Sequence, residues 1–162
     1  MKTKPLKYDE DLQKAFEIII SSSDMLPVVH DIASLVHDNE LNSININTIL
    51  TYHGISKIED IKSYMLDMVL DYIEIVLENH CITKNEEHNV EFMKMSFRIK
   101  EGDFYSMKYV RINSMLEKQL GYLYRDGVIT KEEEVYKVDL QAFFDLSCDQ
   151  FYEIKSKFYS SL

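Results

Sequence analysis

The residues best able to do chemistry in this chain are carboxylates around one turn. Asp126 stands ahead of Glu133 inside the run Tyr124-Arg125-Asp126-Gly127-Val128-Ile129-Thr130-Lys131-Glu132-Glu133-Glu134. Calcium or magnesium takes several oxygen ligands. Asp126 and Glu133, helped by Glu132 or Glu134, are the best candidates to supply some of them. A structural account competes. Thr130-Lys131-Glu132-Glu133 spells a capping box, in which the Thr hydroxyl accepts from the N3 amide and the Glu reaches back to the cap amide. Asp126 suits the turn itself. The twelve-residue loop of spaced oxygens that marks an EF-hand is missing.

Other site chemistries have weaker sequence support. His30 and His37 are two helical turns apart, too far for one zinc without other ligands, and Cys81 with His88 repeats that spacing. His53 and His80 read as helix-end residues, where an imidazolium complements the dipole. Cys81 and Cys148 lack any CxxC spacing and, among apolar neighbours, read as small buried side chains. No Gly-x-Ser-x-Gly elbow is present, and only four glycines leave no room for a Gly-rich phosphate loop. Met93, Met95, Met107 and Met115 suit either a core or an adaptable groove, with helical spacing favouring core. No enzymatic activity is expected.

The chain has 162 residues and a formal net charge of −10, with 46% hydrophobic and 28% charged residues. One domain with a real core is the expectation. The charge argues against nucleic-acid backbones and anionic membranes as partners, because phosphate neutralisation needs clustered Lys and Arg. It suits a basic protein partner or a cation, and it also aids solubility. Met1-Lys2-Thr3-Lys4-Pro5 is followed by acidic residues instead of an apolar run, so no signal peptide is read there. Ile18-Ile19-Ile20 is far too short to span a bilayer. A cytoplasmic location is expected.

The elements that must position the turn read as helices throughout, about seven of them, with no strand. Leu12, Ala15, Phe16 and Ile19 mark a helix over 8–20, after a frayed lead-in at 1–7. Asp24 and Pro27 open a second. The Asn-rich 39–47 reads as the longest loop, before a short helix at 48–52 that ends on Gly54. Four capping boxes follow: Ser56–Glu59, Thr83–Glu86, Thr130–Glu133 and Ser147–Gln150. They open helices over 57–78, 84–100, 131–146 and from 148 on. A further helix spans 104–125 through Met107, Val110 and Met115. Val135, Val138, Ala142, Phe143 and Leu146 form the expected inward stripe after the third box.

A shift of 47 residues overlays two stretches, 68–107 and 115–154. Ile82-Thr83-Lys84 meets Ile129-Thr130-Lys131, Glu86 and Glu87 meet Glu133 and Glu134, and Phe104-Tyr105 meets Phe151-Tyr152. Shared caps alone do not explain the Phe-Tyr pair. Two helix–turn–helix units, each offering an apolar face, imply a single-domain helical bundle.

Asp126-Gly127-Val128-Ile129-Thr130-Lys131-Glu132-Glu133, followed by an apolar helix and Leu146-Ser147 at the next helix start, resembles the TerB-like domain, named for tellurite-resistance proteins. The likeness covers residues 57–160 as a pattern. It is centred on 115–160, with a weaker internal copy at 68–107, and leaves 1–55 as N-terminal helices outside it. The resemblance implies an all-helical, duplicated fold with an acidic, cation-binding surface, a stress or toxin-defence setting and no general enzymatic activity. Carried onto this chain, Asp126 and Glu133 are the acidic pair, with Gly127 and Thr130 structural. In the first copy Asn79 and His80 replace the Asp and Gly, so only Glu86 persists there. Two functions remain open. One is a non-catalytic interaction module, for instance an immunity-type antagonist of a basic toxin, with Glu132 and Glu134 facing the partner. The other is a cation-binding stress protein with a divalent ion at Asp126 and Glu133.

Overall fold

Every regular element among the described residues is helical, as the sequence predicts. The structure is a computed structural model that describes residues 10–161. The expected lead-in at 1–7, the helix start at Tyr8 and the reading of Met1–Pro5 lie outside the described residues. The helices are α1 (Glu10–Ser22), α2 (Pro27–His37), α3 (Ser43–Tyr52), α4 (Lys62–Val76), α5 (Lys84–Ser96), α6 (Asp103–Met107), α7 (Tyr109–Leu123), α8 (Lys131–Phe143) and α9 (Cys148–Ser160). Short 3-10 segments occupy Ile58–Ile61 and Leu77–Asn79. The count exceeds the expected number partly because Lys108, at φ −129° and ψ 30°, breaks 104–125 into α6 and α7.

Local chemistry sets most boundaries. Three of the four expected boxes form, at Thr83, Thr130 and Ser147. The Ser56 box does not form. Lys57 becomes the N-cap of the 3-10 segment without a side-chain cap bond. The Glu59 carboxylate is bonded to its own backbone N–H and meets the Arg98 guanidinium at 3.4 Å. The Asn-rich loop is shorter than expected because the Asn42 side chain accepts from the Asn45 N–H at 2.8 Å, starting α3 at Ser43. Asp24 does not cap α2. Leu26 is its N-cap, and Pro27 opens the first turn.

Contacts group the chain into two compact units. One takes residues up to Ile75 with His88–Ile99, the other Val76–Glu87 with residues from Lys100 on. In the first, α1 packs on α2 and α2 on α3. Phe16 is buried against Tyr72, with ring centroids 6.2 Å apart, and the Tyr72 hydroxyl accepts from Asn89 at 3.1 Å. In the second, α7 packs on α9 and on α6, around buried Phe104, Leu116, Leu120, Leu140, Phe144 and Ile154. Burying each such side chain stabilises by about 1.5–3 kcal/mol.

The 47-residue shift carries the bounds of α4 onto α7 and those of α5 onto α8. It also carries left-handed Arg98 (φ 53°) onto Asp145 (φ 52°) and His80 (φ 55°) onto Gly127 (φ 74°). The Ile99 and Leu146 amides close matching bonds to the carbonyls of Lys94 and Gln141, as in a Schellman helix end. This agreement is local to the chain. It stops at α6, with five residues against thirteen in α9. The two units do not follow the copies, since 68–107 is shared between them and 115–160 lies in the second alone.

Several expected core positions are exposed. Met107, Val110, Val135 and Val138 face solvent, while Tyr136, Leu140 and Phe143 are the buried side chains of α8. The two stripes of α8 have the same helical spacing, and the one with larger side chains gains more from burial. Met93 and Met115 are core, but Met95 and Met107 are not. Cys81 and Cys148 are exposed, contrary to expectation, because each sits at a helix end: Cys81 just after a turn and Cys148 as the first residue of α9.

Candidate functional site

The turn between α7 and α8 is built from its own side chains. Gly127 takes the left-handed conformation at φ 74°, and the Asp126 carboxylate accepts from the Val128 N–H at 3.1 Å. Thr130 caps α8, its hydroxyl accepting from the Glu133 N–H at 3.2 Å. Glu133 replies with Oε2, which accepts from the Thr130 N–H at 3.2 Å, and its Oε1 takes the Arg125 guanidinium at 3.3 Å. The same guanidinium donates to the Tyr122 carbonyl at 2.6 Å and lies 3.8 Å from the centre of the Tyr122 ring.

A second turn faces the first across Tyr122. The chain leaves the 3-10 segment at Asn79, whose side chain accepts from the Cys81 N–H at 3.1 Å. His80 enters the left-handed region, as its type permits. Its ring stacks on Tyr122 with centroids 3.7 Å apart and planes 6° from parallel. Two groups this close to one ring centre cannot share a face, so His80 and Arg125 sandwich the phenol.

Beneath the stack lies a buried polar pair. Gln119 is 3% exposed. Its Oε1 accepts from the Tyr136 hydroxyl at 2.5 Å and from His80 Nδ1 at 2.8 Å. An amide oxygen only accepts, so His80 Nδ1 is the donor in this bond. Burial, then the fields of Cys81 and Tyr122, push the Tyr136 hydroxyl far above its ordinary pKa, so it stays a donor.

Between His80–Ile82 and α8 as far as Asp139 runs a groove of about 470 Å³. Ile82, Val135 and the Tyr136 ring supply apolar surface, and Glu132 and Asp139 supply carboxylates. Asp139 is half-buried. Desolvation, then the neighbouring Glu87, raise its pKa above the usual carboxylate value, against a smaller opposite effect from Lys84. Among the described residues no donor bonds its carboxylate. Glu87 itself pairs with the exposed Lys84 at 3.1 Å.

Of the four carboxylates singled out from sequence, the structure brings Glu132 and Glu133 to the groove. Asp126 stays on the exposed turn, and Glu134 pairs with Lys137 at 3.1 Å. Both oxygens of Glu133 are engaged in the turn. No group of three or more His, Cys, Asp or Glu among the described residues is arranged to hold a metal ion. Of the other histidines, His53 is hydrogen-bonded to Asp31 at 2.7 Å and His37 to Asp38 at 2.8 Å.

Sequence reasoning missed Asp139, Gln119 and the His80–Tyr122 stack. The spacing of Glu132, Val135 and Asp139 on one face of α8 was a readable signal for the first. The stack joins residues on two turns and had no signal. No helix among the described residues is long and apolar enough to cross a membrane. No model of a known protein family, no curated protein and no solved structure matches the chain.

Proposed function

We propose that this chain is a non-catalytic protein-interaction module whose groove beside α8 receives a basic side chain of its partner. The observation that supports this reading is the Asp139 carboxylate: partly desolvated, next to Glu87, and bonded by no donor among the described residues. A lysine or arginine placed there offsets the desolvation and the like-charge repulsion together. Ile82 and Val135 would flank its aliphatic stem, which packs well on apolar surface. Glu132 adds charge on the rim, and the net charge of −10 steers a basic partner at long range. Glu134, further along the acidic stretch, adds to that field.

An immunity-type antagonist of a basic toxin, acting in the cytoplasm in a stress or defence setting, is the form of this reading that charge and size suit. The likeness of the Asp126–Glu133 turn to TerB-like domains belongs to the same proposal. The cation-binding alternative at Asp126 and Glu133 draws less support, because Glu133 is held by Arg125 and the Thr130 amide.

The test is selection of binders from a random-peptide phage library on the folded protein. Retained sequences should be enriched in Lys and Arg. Their affinity should fall about tenfold on Asp139→Asn, the scale of one charge-assisted hydrogen bond, and should weaken as salt rises. Retained peptides without basic enrichment, or affinities indifferent to both Asp139→Asn and salt, would sink the proposal.

A further inference from the structure

We infer that the partner presents its basic side chain from an amphipathic α-helix lying along α8. This rests on the groove reading and extends it beyond the groove. Glu132, Val135, Val138, Asp139 and Ala142 recur at helical spacing on one face of α8, turned about 100° from the buried Tyr136, Leu140 and Phe143. Val135 is 60% and Val138 63% exposed, and Ala142 is exposed as well. A lone exposed valine is ordinary. A row of three aliphatic positions with a carboxylate at Glu132 and another at Asp139 is the complement of a helix that alternates aliphatic and basic residues at three- and four-residue steps. The groove takes in only Glu132, Val135 and Asp139 of this row, and Val138 and Ala142 lie outside its lining.

Two alternatives fit less well. An extended peptide that binds by adding to a sheet edge finds no strand to extend among the described residues. A helix satisfies its own backbone and needs only side-chain contact. A second copy of this chain would bring another net charge of −10 against an acidic face. From Glu132 to Ala142 the face rises about 15 Å, so about three turns of a facing helix cover it.

The test uses the full chain and a fluorescein-labelled 18-residue peptide with leucine and lysine at helical spacing. The comparison peptide is the same but for one proline at a central, outward position. Anisotropy at low salt should give binding of the first and at least about tenfold weaker binding of the second. Val138→Asp should weaken the first peptide by about tenfold, the scale of losing one buried valine contact. Val138 is exposed, so circular dichroism of this variant should match the parent, and Val138→Ala should give a smaller loss. Equal binding of the two peptides, or an affinity that drops with Asp139→Asn but not with Val138→Asp, overturns the helical partner and leaves the groove reading standing. If neither peptide binds, or neither responds to Asp139→Asn, both readings fail.

Discussion

Replacing Gln119 by leucine tests the buried link that holds the two turns together. Gln119 Oε1 accepts from the Tyr136 hydroxyl at 2.5 Å and from His80 Nδ1 at 2.8 Å. Leucine fills much the same space without an acceptor. The Tyr136 hydroxyl, buried with its ring, is then left unsatisfied at about 1–3 kcal/mol. The His80 bond contributes about 0.5 kcal/mol more, because the half-buried imidazole recovers water on its free side. Better burial of leucine offsets part of this, so the net loss should be about 2 kcal/mol. With a urea slope of about 2 kcal/mol per molar, the midpoint should fall by about 1 M. Far-UV circular dichroism is the readout, since the chain has no Trp. Tyr136→Phe alone should cost less, about 1 kcal/mol, because Gln119 keeps His80 as a donor. Added to Gln119→Leu, it should restore part of the loss by removing the orphaned hydroxyl. The reasoning fails if Gln119→Leu costs under about 0.5 kcal/mol, or if the two changes add within about 0.3–0.5 kcal/mol, as independent sites do.

Thr130→Ala should destabilise by about 1 kcal/mol, because it removes a formed cap. Ser56→Ala should stay within about 0.5 kcal/mol, because Ser56 caps nothing; equal effects in chemical denaturation would contradict the helix starts described. Gly127→Ala should cost about 1–2 kcal/mol from the left-handed backbone alone, since a Cβ there meets nothing within 4 Å, and a neutral melt would show that the turn relaxes. His37 is held above its ordinary 6.5 by its hydrogen bond to Asp38, then by Glu17. Its imidazolium therefore stabilises the fold fully below 6.5 and loses that contribution as pH rises through the raised folded value. His37→Gln should flatten the fall in melting temperature across that window, and an unchanged slope would exclude the pair as its source.

Chain-local chemistry carried much of what could be read in advance. The caps at Thr83, Thr130 and Ser147 and the glycine at Gly127 act through atoms within a few residues, so their types and spacing suffice. The same holds for the all-helical class and for the matching bounds of α4 with α7 and α5 with α8. Where two outcomes were locally equivalent, sequence was not enough. Val135–Val138 and Tyr136–Leu140 satisfy helical periodicity equally, and only packing in the folded unit decides which stripe is buried. The Ser56 box does not form, and its Glu59 carboxylate meets Arg98, thirty-nine residues further along the chain.

The opening carboxylates divide along that line. The acidic turn at Asp126–Glu133 follows from the sequence alone, because a capping box and a glycine turn are local devices. What its carboxylates are free to do is a matter of tertiary structure. Folding brings His80 onto Tyr122, and Asp139 into a groove beside Glu87. Burial and charge at a site are sums over neighbours distant in the chain, and those neighbours exist only once the helices have packed.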